Sequence, residues 1–243
     1  MTRKWTFKKI LKTIWVTAGL LFTLWLAYAV QAHNVPKEDL QSSPAVSVYQ
    51  EDQFYLFAPA TPSRKILFFY PGALVDPVAY VPLCRKIADS GMKVYLIKMP
   101  WRLATRGYTI PKELGLIADT SLTYILAGHS QGAKMAAQFV YENPGVIDKL
   151  ILIASSHPRD ISIADSNIPV MKIWGDKDGV ADEKSIMANK AKLPATTQFV
   201  HIAGANHAQF GYYGFQLNDN RATISREAQQ AATLQHMLAF IGR

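Results

Sequence analysis

The segment Gly128-His-Ser-Gln-Gly132 has residue types and a spacing that could support covalent catalysis. It follows a short apolar run, residues 122–127, and precedes a segment in which small apolar residues recur at helical spacing. A serine between two glycines at a strand-to-helix turn is the pattern of a nucleophile elbow. The turn holds the serine in a strained conformation, so a side chain at either glycine would collide with neighbouring backbone. The pattern predicts that Ser130 is a nucleophile at the tip of this turn.

A serine hydroxyl needs a base that takes its proton, and the base needs a third group that orients it. In the chain order of elbow enzymes, an acid follows the serine and a histidine follows the acid. Gly175-Asp-Lys-Asp178 and Gly204-Ala-Asn-His207 occur in this order, each after an apolar strand-like run. On order alone, either Asp176 or Asp178 could be the acid. An ordinary turn remains the alternative for the elbow, because G-x-S-x-G arises by chance in roughly a few per cent of such chains.

The other histidines fit the role of the base less well. One lies in the turn itself, one precedes the acid, one alternates within a strand, and two lie in the terminal regions: His129, His157, His201, His33 and His236. The order of the motifs therefore favours His207.

The residues around these motifs alternate between apolar strands and amphipathic helices. Strands are predicted at 65–70, 93–98, 122–127, 149–154, 169–174 and 197–202, with an edge hairpin over 46–58 and helices at 78–90, 111–120, 181–191 and 225–241. This alternation predicts an α/β fold, with a mostly parallel sheet flanked by helices on both faces. Ligands of such sheets bind beyond the carboxyl ends of the strands, where all three motifs begin.

The N-terminal region differs from the rest of the 243-residue chain. Residues 1–12 are basic, and no charged side chain occurs over 13–32, which is long enough to cross a hydrocarbon core of about 30 Å as a helix. We therefore expect a cytoplasmic N-terminus over 1–12, a transmembrane helix or signal anchor over 13–32, a tether over 33–45 and a hydrolytic domain over 46–243. The domain would then lie outside the cytoplasm, in a single-pass protein of the cell membrane.

A cleaved signal peptide is the alternative for this region. Ala27-Tyr-Ala29 or Val30-Gln-Ala32 would provide a cleavage site, and the domain would then be secreted. The apolar run exceeds the usual length of about 7–15 residues for a signal peptide, which favours a retained anchor.

Charge and composition exclude several classes of function. The formal net charge is +8, and five positive charges precede residue 13, so that about +3 remains on the exported part. This is too little to predict a nucleic-acid partner. The single cysteine, Cys84, excludes an intramolecular disulfide and a cysteine metal cluster, and the histidines and carboxylates lack metal-ligand spacing. We expect neither a metal nor another cofactor.

Taken together, four motifs resemble the α/β-hydrolase superfamily, in particular its small bacterial members that lack a cap domain, here with an N-terminal membrane anchor. These motifs are Phe69-Tyr-Pro-Gly72, the elbow, Gly175-Asp-Lys-Asp178 and Gly204-Ala-Asn-His-Ala-Gln-Phe210. The resemblance covers about residue 54 to the C-terminus. Its G-x-x-D pattern implies Asp178 as the acid, and its G-x-x-H pattern implies His207 as the base.

The resemblance also implies an oxyanion hole made of two backbone N–H groups. One belongs to Gln131, the residue after the nucleophile. The other belongs to Ala73, with Leu74 as the alternative, because Tyr70-Pro-Gly72 departs from the usual His-Gly and Gly-Gly forms of this loop.

These expectations lead to a function. Residues 155–168 are too few for a cap, so we expect an open, shallow site to which Leu74, Trp101 and His157 contribute. The expected activity is hydrolysis of a small carboxylic ester or related acyl compound through an acyl-enzyme on Ser130. A thioesterase, lactonase, peptidase or acyltransferase would use the same atoms, and a non-catalytic surface-binding domain is the alternative from a different class.

Overall fold

The computed structural model describes residues 6–242. Their eight strands form one sheet in the order β1-β2-β4-β3-β5-β6-β7-β8. The strands are β1 (Val46–Gln50), β2 (Phe54–Pro59), β3 (Lys65–Tyr70), β4 (Lys93–Ile97), β5 (Thr123–His129), β6 (Lys149–Ile153), β7 (Val170–Gly175) and β8 (Gln198–Ile202). The hairpin β1–β2 is antiparallel and joins β4 at one edge, and the strands from β4 to β8 pair in parallel.

The central strands are apolar along nearly their whole length because helices cover both faces of the sheet. The helices are α1 (Phe7–Ala29), α2 (Val81–Asp89), α3 (Ile110–Glu113), α4 (Gln131–Glu142), α5 (Glu183–Ala188) and α6 (Arg226–Gly242). Leu83 of α2 and Met237 of α6 pack in the core on one face, whereas Ala136 of α4 and Ile110 of α3 pack in the core on the other. The fold class expected from the alternation of strands and helices is confirmed.

Three helices differ in extent from the sequence expectation, and at 181–191 the α-helix is limited to Glu183–Ala188. The helix expected over 111–120 is limited to α3, because Gly115 has a φ of +67° and leads the chain out of the helix. The helix expected over 78–90 begins with a 3-10 turn, Pro77–Tyr80, in which the carboxylate of Asp76 accepts a hydrogen bond from Val78 N–H at 3.0 Å. Residues 154–169, between β6 and β7, contain neither a helix nor a strand.

The N-terminal helix α1 extends away from the domain. Its 23 residues span about 35 Å, and an 18-residue stretch of it has a mean hydropathy of 1.7 and contains no buried residue. The helix is therefore long and apolar enough to cross a membrane. A signal sequence would meet the same criteria of length and composition.

The connection between α1 and β1 packs on the domain. Residues 37–40 form a 3-10 helix, and the guanidinium of Arg85 on α2 donates hydrogen bonds to Gln41 O at 2.7 Å and to Ser43 Oγ at 2.8 Å. The segment 33–45, expected to be a tether, is thus in contact with the domain at these residues.

Candidate active site

Ser130 lies between β5 and α4 in the strained conformation that the elbow pattern predicts. Its φ is +53° and its ψ is −117°, which is unfavourable for a residue with a side chain. The two glycines allow this turn because a Cβ atom at Gly132 would lie 2.0 Å from the carbonyl oxygen of Tyr70, and one at Gly128 would lie 2.5 Å from the carbonyl carbon of Gly132. Close backbone packing therefore fixes the position of the serine.

The structure brings Asp178 and His207 together at the carboxyl edge of the sheet. The Nδ1 atom of His207 lies 2.9 Å from Oδ2 and 3.1 Å from Oδ1 of Asp178, and both side chains are buried. Oδ1 of Asp178 also accepts hydrogen bonds from the N–H groups of Val180 and Ala181, at 2.9 and 2.7 Å. These bonds orient the carboxylate toward the imidazole.

Ser130 and His207 line the same cleft, with the imidazole oriented by Asp178 through Nδ1. The other ring nitrogen, Nε2, has no hydrogen-bond partner among residues 6–242. The hydrogen bond from the Ser130 hydroxyl to His207 is therefore not formed in this structure. Such bonds are often long in substrate-free enzymes and shorten when the substrate binds.

Asp176 does not take part in this arrangement. One of its carboxylate oxygens accepts a hydrogen bond from Gly204 N–H at 2.5 Å, and the other pairs with Lys177 at 3.1 Å. The N–H of Gly204 and the Lys177 ammonium hold the pKa of Asp176 below its usual value, with the side-chain bond to Lys177 as the largest cause. Asp176 thus stabilises the two loops without contacting the imidazole.

Asp219 is a buried carboxylate that the sequence did not single out. It accepts hydrogen bonds from the backbone N–H groups of His207 at 3.1 Å, Ala208 at 2.9 Å and Gly179 at 3.3 Å. Burial raises its pKa, while the same N–H groups oppose this shift. Asp219 therefore joins the loop that carries the histidine to the loop that carries Asp178.

The loop after β3 presents one candidate for the second oxyanion donor. The N–H of Gly72 donates to Tyr80 Oη at 3.1 Å, and the N–H of Leu74 donates to Arg102 O at 2.7 Å. Between them, Ala73 N–H makes no hydrogen bond with any residue in the range 6–242. Of the two expected candidates, Leu74 is thus engaged elsewhere, which leaves Ala73 together with Gln131 N–H at the start of α4.

A buried pair, Tyr80 and His129, connects this loop to the elbow. Tyr80 Oη lies 2.8 Å from His129 Nδ1, and the His129 ring lies 4.6 Å from the His207 ring between their centroids. Burial, followed by the charge of His207, holds the pKa of His129 well below its usual value. A neutral His129 accepts a hydrogen bond from the Tyr80 hydroxyl at Nδ1, and the same hydroxyl oxygen accepts one from the N–H of Gly72.

The cleft beside Ser130 has a volume of about 310 Å³. Of the three expected substrate-binding residues, His157 lines it, whereas Leu74 and Trp101 do not; these two are exposed, with exposed fractions of 54% and 82%. A larger cavity of about 630 Å³ lies near Ile147 and Pro169, at the opposite edge of the sheet, and contains none of the expected catalytic residues. Among residues 6–242, no group of three or more His, Cys, Asp or Glu side chains is placed to hold a metal ion.

The chain matches known proteins in family and in fold. Residues 66–231 match the model of a family described as the alpha/beta hydrolase family. No curated protein sequence matches the chain. Similar solved structures include a predicted CIB-like hydrolase from Thermoplasma acidophilum, which is 13% identical with a TM-score of 0.60. The match covers 79% of this chain and 98% of that hydrolase.

Two further solved structures are also similar. Est1E from Butyrivibrio proteoclasticus is 14% identical with a TM-score of 0.57, over 82% of this chain and 100% of its own. Thermogutta terrifontis esterase 2, in a structure phosphoramylated by tabun, is 16% identical with a TM-score of 0.55, over 83% of this chain and 96% of its own. The family match covers more than half of the chain, and the protein therefore belongs to the alpha/beta hydrolase family.

Proposed function

We propose that the protein is a serine hydrolase that cleaves a small carboxylic ester or a related acyl compound. The observation that carries this proposal is the buried pair of Asp178 and His207, because His207 lines the same cleft as Ser130, which occupies a strained turn. The strain is retained by close backbone packing, and strained residues of this kind cluster at reactive sites.

In the proposed reaction, the Ser130 hydroxyl attacks the carbonyl carbon while Nε2 of His207 takes its proton. The tetrahedral oxyanion accepts hydrogen bonds from the N–H groups of Ala73 and Gln131. His207 then donates the proton to the leaving oxygen, the bond between the carbonyl carbon and that oxygen breaks, and an acyl-enzyme remains. Water repeats the sequence with His207 as the base, which releases the acid and restores Ser130.

Asp178 has an orienting and electrostatic role in this proposal. Its carboxylate accepts the Nδ1–H of His207, so the other ring nitrogen carries the lone pair that takes the serine proton. The imidazolium formed during attack is stabilised by the buried negative charge. Because Val180 and Ala181 N–H groups hold the carboxylate, it does not have to reorient during the reaction.

The small, open cleft favours short acyl groups. The residues between β6 and β7 form no helix or strand over the cleft, and the cleft holds about 310 Å³. Thioesters, lactones and peptides, and transfer to an acceptor other than water, would use the same atoms.

We also propose that α1 is retained as a membrane anchor, with the N-terminus in the cytoplasm and the domain outside it. Ala29 O and Val30 O, at the end of α1, accept hydrogen bonds from the N–H groups of Gly214 and Asp76 at 2.7 and 2.8 Å. Signal cleavage after Ala32 would remove both contacts from the domain, and cleavage after Ala29 would remove the contact of Ala29 O. The intact mass of the purified protein tests this proposal, because a mass lacking the first 29 or 32 residues would show cleavage.

A panel of p-nitrophenyl esters of increasing acyl length, with a thioester and a lactone, tests the activity. We expect hydrolysis that is fastest for short acyl groups and that is lost in Ser130→Ala and His207→Ala. Hydrolysis of the same rate in these variants would refute the triad. A folded wild-type chain that cleaves none of the compounds would favour a non-catalytic binding domain.

A further inference from the structure

The cleft beside Ser130 carries positive charge on the side formed by α4 and the loop after β6. Lys134 lies one helical turn after Ser130 on α4, and Arg159 lies in the loop; both line the cleft with His157. Behind them, the buried Lys172 donates a hydrogen bond to the carbonyl oxygen of His157. The reacting serine is therefore close to several basic side chains.

The two charged side chains that line the cleft, Lys134 and Arg159, are not paired with acids of the described chain. Within residues 6–242, neither Lys134 nor Arg159 forms an ion pair with a carboxylate; Arg159 donates instead to Ser156 Oγ. The pKa of His157 reflects the charges of the residues around it. Its pKa is lowered to about 4, first by burial and then by Lys134, Arg159 and Lys172, whereas the opposing effect of Asp160 is the smallest. The side of the cleft formed by α4 and this loop thus has a positive potential.

The other residues of the cleft do not provide an alternative, apolar mode of binding. Its only apolar side chains within the described chain are Ala154, Val180 and Ala181, all of them small. Ser155 and Ser156 add hydroxyl groups next to Arg159. A long uncharged acyl chain would find little apolar surface in this cleft, whereas an anion would find charged donors and hydroxyls.

We propose that Lys134 and Arg159 bind an anionic group of the substrate, a carboxylate or a phosphate, a few atoms away from the scissile carbonyl. The preferred substrate is thus a negatively charged acyl ester, and this inference rests on the proposed function of Ser130. The guanidinium of Arg159 supplies paired donors that suit either anion, and Lys134 supplies a point charge. A carboxylate and a phosphate would both accept charged hydrogen bonds from these two side chains.

A matched pair of esters tests the substrate class with the full chain in an uncharged detergent. The pair is mono-p-nitrophenyl adipate and p-nitrophenyl hexanoate, which differ at the far end of the acyl chain; p-nitrophenyl esters with a terminal phosphate distinguish the two anions. We expect kcat/KM to be at least about tenfold higher for the charged ester. In the double variant Lys134→Gln/Arg159→Gln, the ratio of kcat/KM for the adipate to that for the hexanoate should fall to about one. Equal rates on both esters in the wild type would overturn the inference.

A binding measurement separates this inference from the proposed activity. Monomethyl adipate and dimethyl adipate are titrated into Ser130→Ala, and into Ser130→Ala with the two glutamine substitutions. We expect the charged probe to bind at least about tenfold more tightly to the first variant, with the neutral probe unaffected. Equal or undetectable binding of the charged probe would overturn the inference even in an active hydrolase. Binding of this kind without hydrolysis by the wild type would refute only the proposed function.

A second inference comes from the contacts at the end of α1. Three backbone hydrogen bonds join this end to loops of the domain: Gly214 N–H to Ala29 O at 2.7 Å, Asp76 N–H to Val30 O at 2.8 Å, and His33 N–H to Tyr212 O at 2.7 Å. The side chain of Arg102 adds bonds to Gln31 Oε1 and Asp76 Oδ2, each at 3.0 Å. The helix is thus attached to the domain at its C-terminal end and through the residues that follow it.

The loops that hold α1 are those that surround the active site. Tyr212–Gly214 follows the loop of His207, and Asp76 follows the loop of Ala73. If α1 leaves a bilayer near Ala29, these loops lie within a few residues of the lipid headgroups. The carboxyl edge of the sheet would then face the membrane.

This edge presents large apolar side chains to solvent. Trp101, Leu74 and Phe215 have exposed fractions of 82%, 54% and 45%. Phe215 adjoins Gly214, and Leu74 N–H is bonded to Arg102 O, next to Trp101. Trp101 and Leu74 also have φ values of +56° and +63°, so strained backbone places apolar side chains on the surface.

We infer that this rim, defined as Leu74, Trp101 and Phe215, rests on the surface of the bilayer that α1 crosses. The inference rests on the proposed anchor. Tryptophan and other amphipathic or apolar side chains are favoured at the membrane interface. The membrane surface would therefore cover side chains that otherwise face water. The catalytic cleft, which opens at the same edge of the sheet, would take its substrate at the membrane surface.

Tryptophan quenching by brominated lipids tests this orientation. The full chain carries Trp5, Trp15, Trp25, Trp101 and Trp174. Replacement of the first three by phenylalanine leaves Trp101 and the buried Trp174, and a further Trp101→Phe variant gives the signal of Trp174 alone. In phosphatidylcholine vesicles brominated near the start of the acyl chains, we expect strong quenching of Trp101.

A tryptophan at position 141 is the matched control, made as Tyr141→Trp in the chain that lacks Trp101. Tyr141 is 53% exposed and lies near the end of α4, which runs away from the elbow by about 16 Å. We expect Trp101 to be quenched at least about twofold more than this control. Equal quenching in a chain that floats with the vesicles would overturn the rim contact alone. A chain that does not float with them would overturn the anchor, and the rim contact with it.

Discussion

Nδ1 of His207 lies 2.9 Å from Oδ2 of Asp178, and both side chains are buried. In this position water cannot replace the contact, and the carboxylate favours the imidazole tautomer with hydrogen on Nδ1. Asp176, two residues before Asp178, is more exposed and binds Gly204 and Lys177 instead. The two carboxylates of one loop should therefore differ sharply in their effect on the reaction.

Asp178→Asn tests that difference. An asparagine keeps the shape of the side chain but loses the charge and presents an amide to the imidazole, so the wrong tautomer of His207 is favoured. We expect kcat on a short p-nitrophenyl ester to fall by about 10³–10⁴-fold, with the fold retained by circular dichroism. The matched control is Asp176→Asn, which should change kcat by less than about threefold. Equal losses in both variants would show that the carboxylates act only through the structure of the loop.

Tyr80→Phe tests whether the loop of Ala73 is held in place by the Tyr80 hydroxyl. The substitution removes the acceptor of Gly72 N–H and the partner of His129 Nδ1. We expect the free energy of unfolding to fall by about 1–3 kcal/mol and kcat to fall by about 10- to 100-fold, with a smaller change in KM.

The control for this variant is Tyr124→Phe. Tyr124 is also buried, and its hydroxyl donates to Asp119 O at 3.0 Å, but it lies at the start of β5, away from the elbow. A comparable loss of stability without a loss of kcat is expected. If kcat falls equally in both variants, the effect of Tyr80 is one of general stability.

Gly132→Ala should prevent the elbow from closing. The added methyl group would lie 2.0 Å from Tyr70 O and 2.5 Å from Pro71 O, and neither backbone atom can move without disturbing the sheet. We expect a loss of more than about 3 kcal/mol in urea unfolding of the detergent-solubilised chain, or no folded protein. Gly242→Ala is the control, since no atom lies within 4 Å of its added methyl group. A stable, folded Gly132→Ala protein would contradict the observed packing.

Lys172 should make stability depend on pH. Burial lowers its pKa in the folded chain to about 7, against about 10.5 for an ordinary lysine. Between these values the unfolded chain binds more protons than the folded chain, so the free energy of unfolding rises with pH. We expect a rise on the order of 1 kcal/mol between pH 7.5 and 8.5, measured by urea unfolding.

The variant Lys172→Met should remove most of this rise, whereas Lys184→Met, at an exposed position of α5, should retain it. Cys84 begins to oppose this rise toward the upper end of the range, because burial raises the pKa of its thiol above that in the unfolded chain. An unchanged slope in Lys172→Met would show that another group titrates there.

Local patterns were sufficient to predict the sheet and the elbow. Apolar runs bounded by glycine and proline predict the strands. Gly128 and Gly132 predict the elbow, because the strained turn at the serine leaves no space for a side chain at either position. The elbow also predicted that an acid and then a histidine would follow the serine along the chain. The choice of Asp178 over Asp176 came from the resemblance to a family, because both residues lie in one turn.

Contacts between distant parts of the chain were not predictable. Asp219 binds the N–H of His207, 12 residues earlier, and that of Gly179, 40 residues earlier, yet no local pattern distinguishes it from an exposed loop aspartate. The attachment of Ala29 to Gly214 likewise depends on where two loops meet in the folded chain. Both arise from tertiary packing, which a single sequence does not encode at the level of motifs.

Labelling with a fluorophosphonate, followed by peptide mapping of the modified residue, tests the central claim most directly. The reagent reacts with a serine hydroxyl that a neighbouring base activates. We expect one phosphonyl group on Ser130 of the wild-type chain, labelling slowed by orders of magnitude in His207→Ala and Asp178→Asn, and unchanged labelling in Asp176→Asn. A folded wild-type chain that remains unlabelled at Ser130, or that is labelled equally fast without His207, would contradict the claim that these three residues form a catalytic unit.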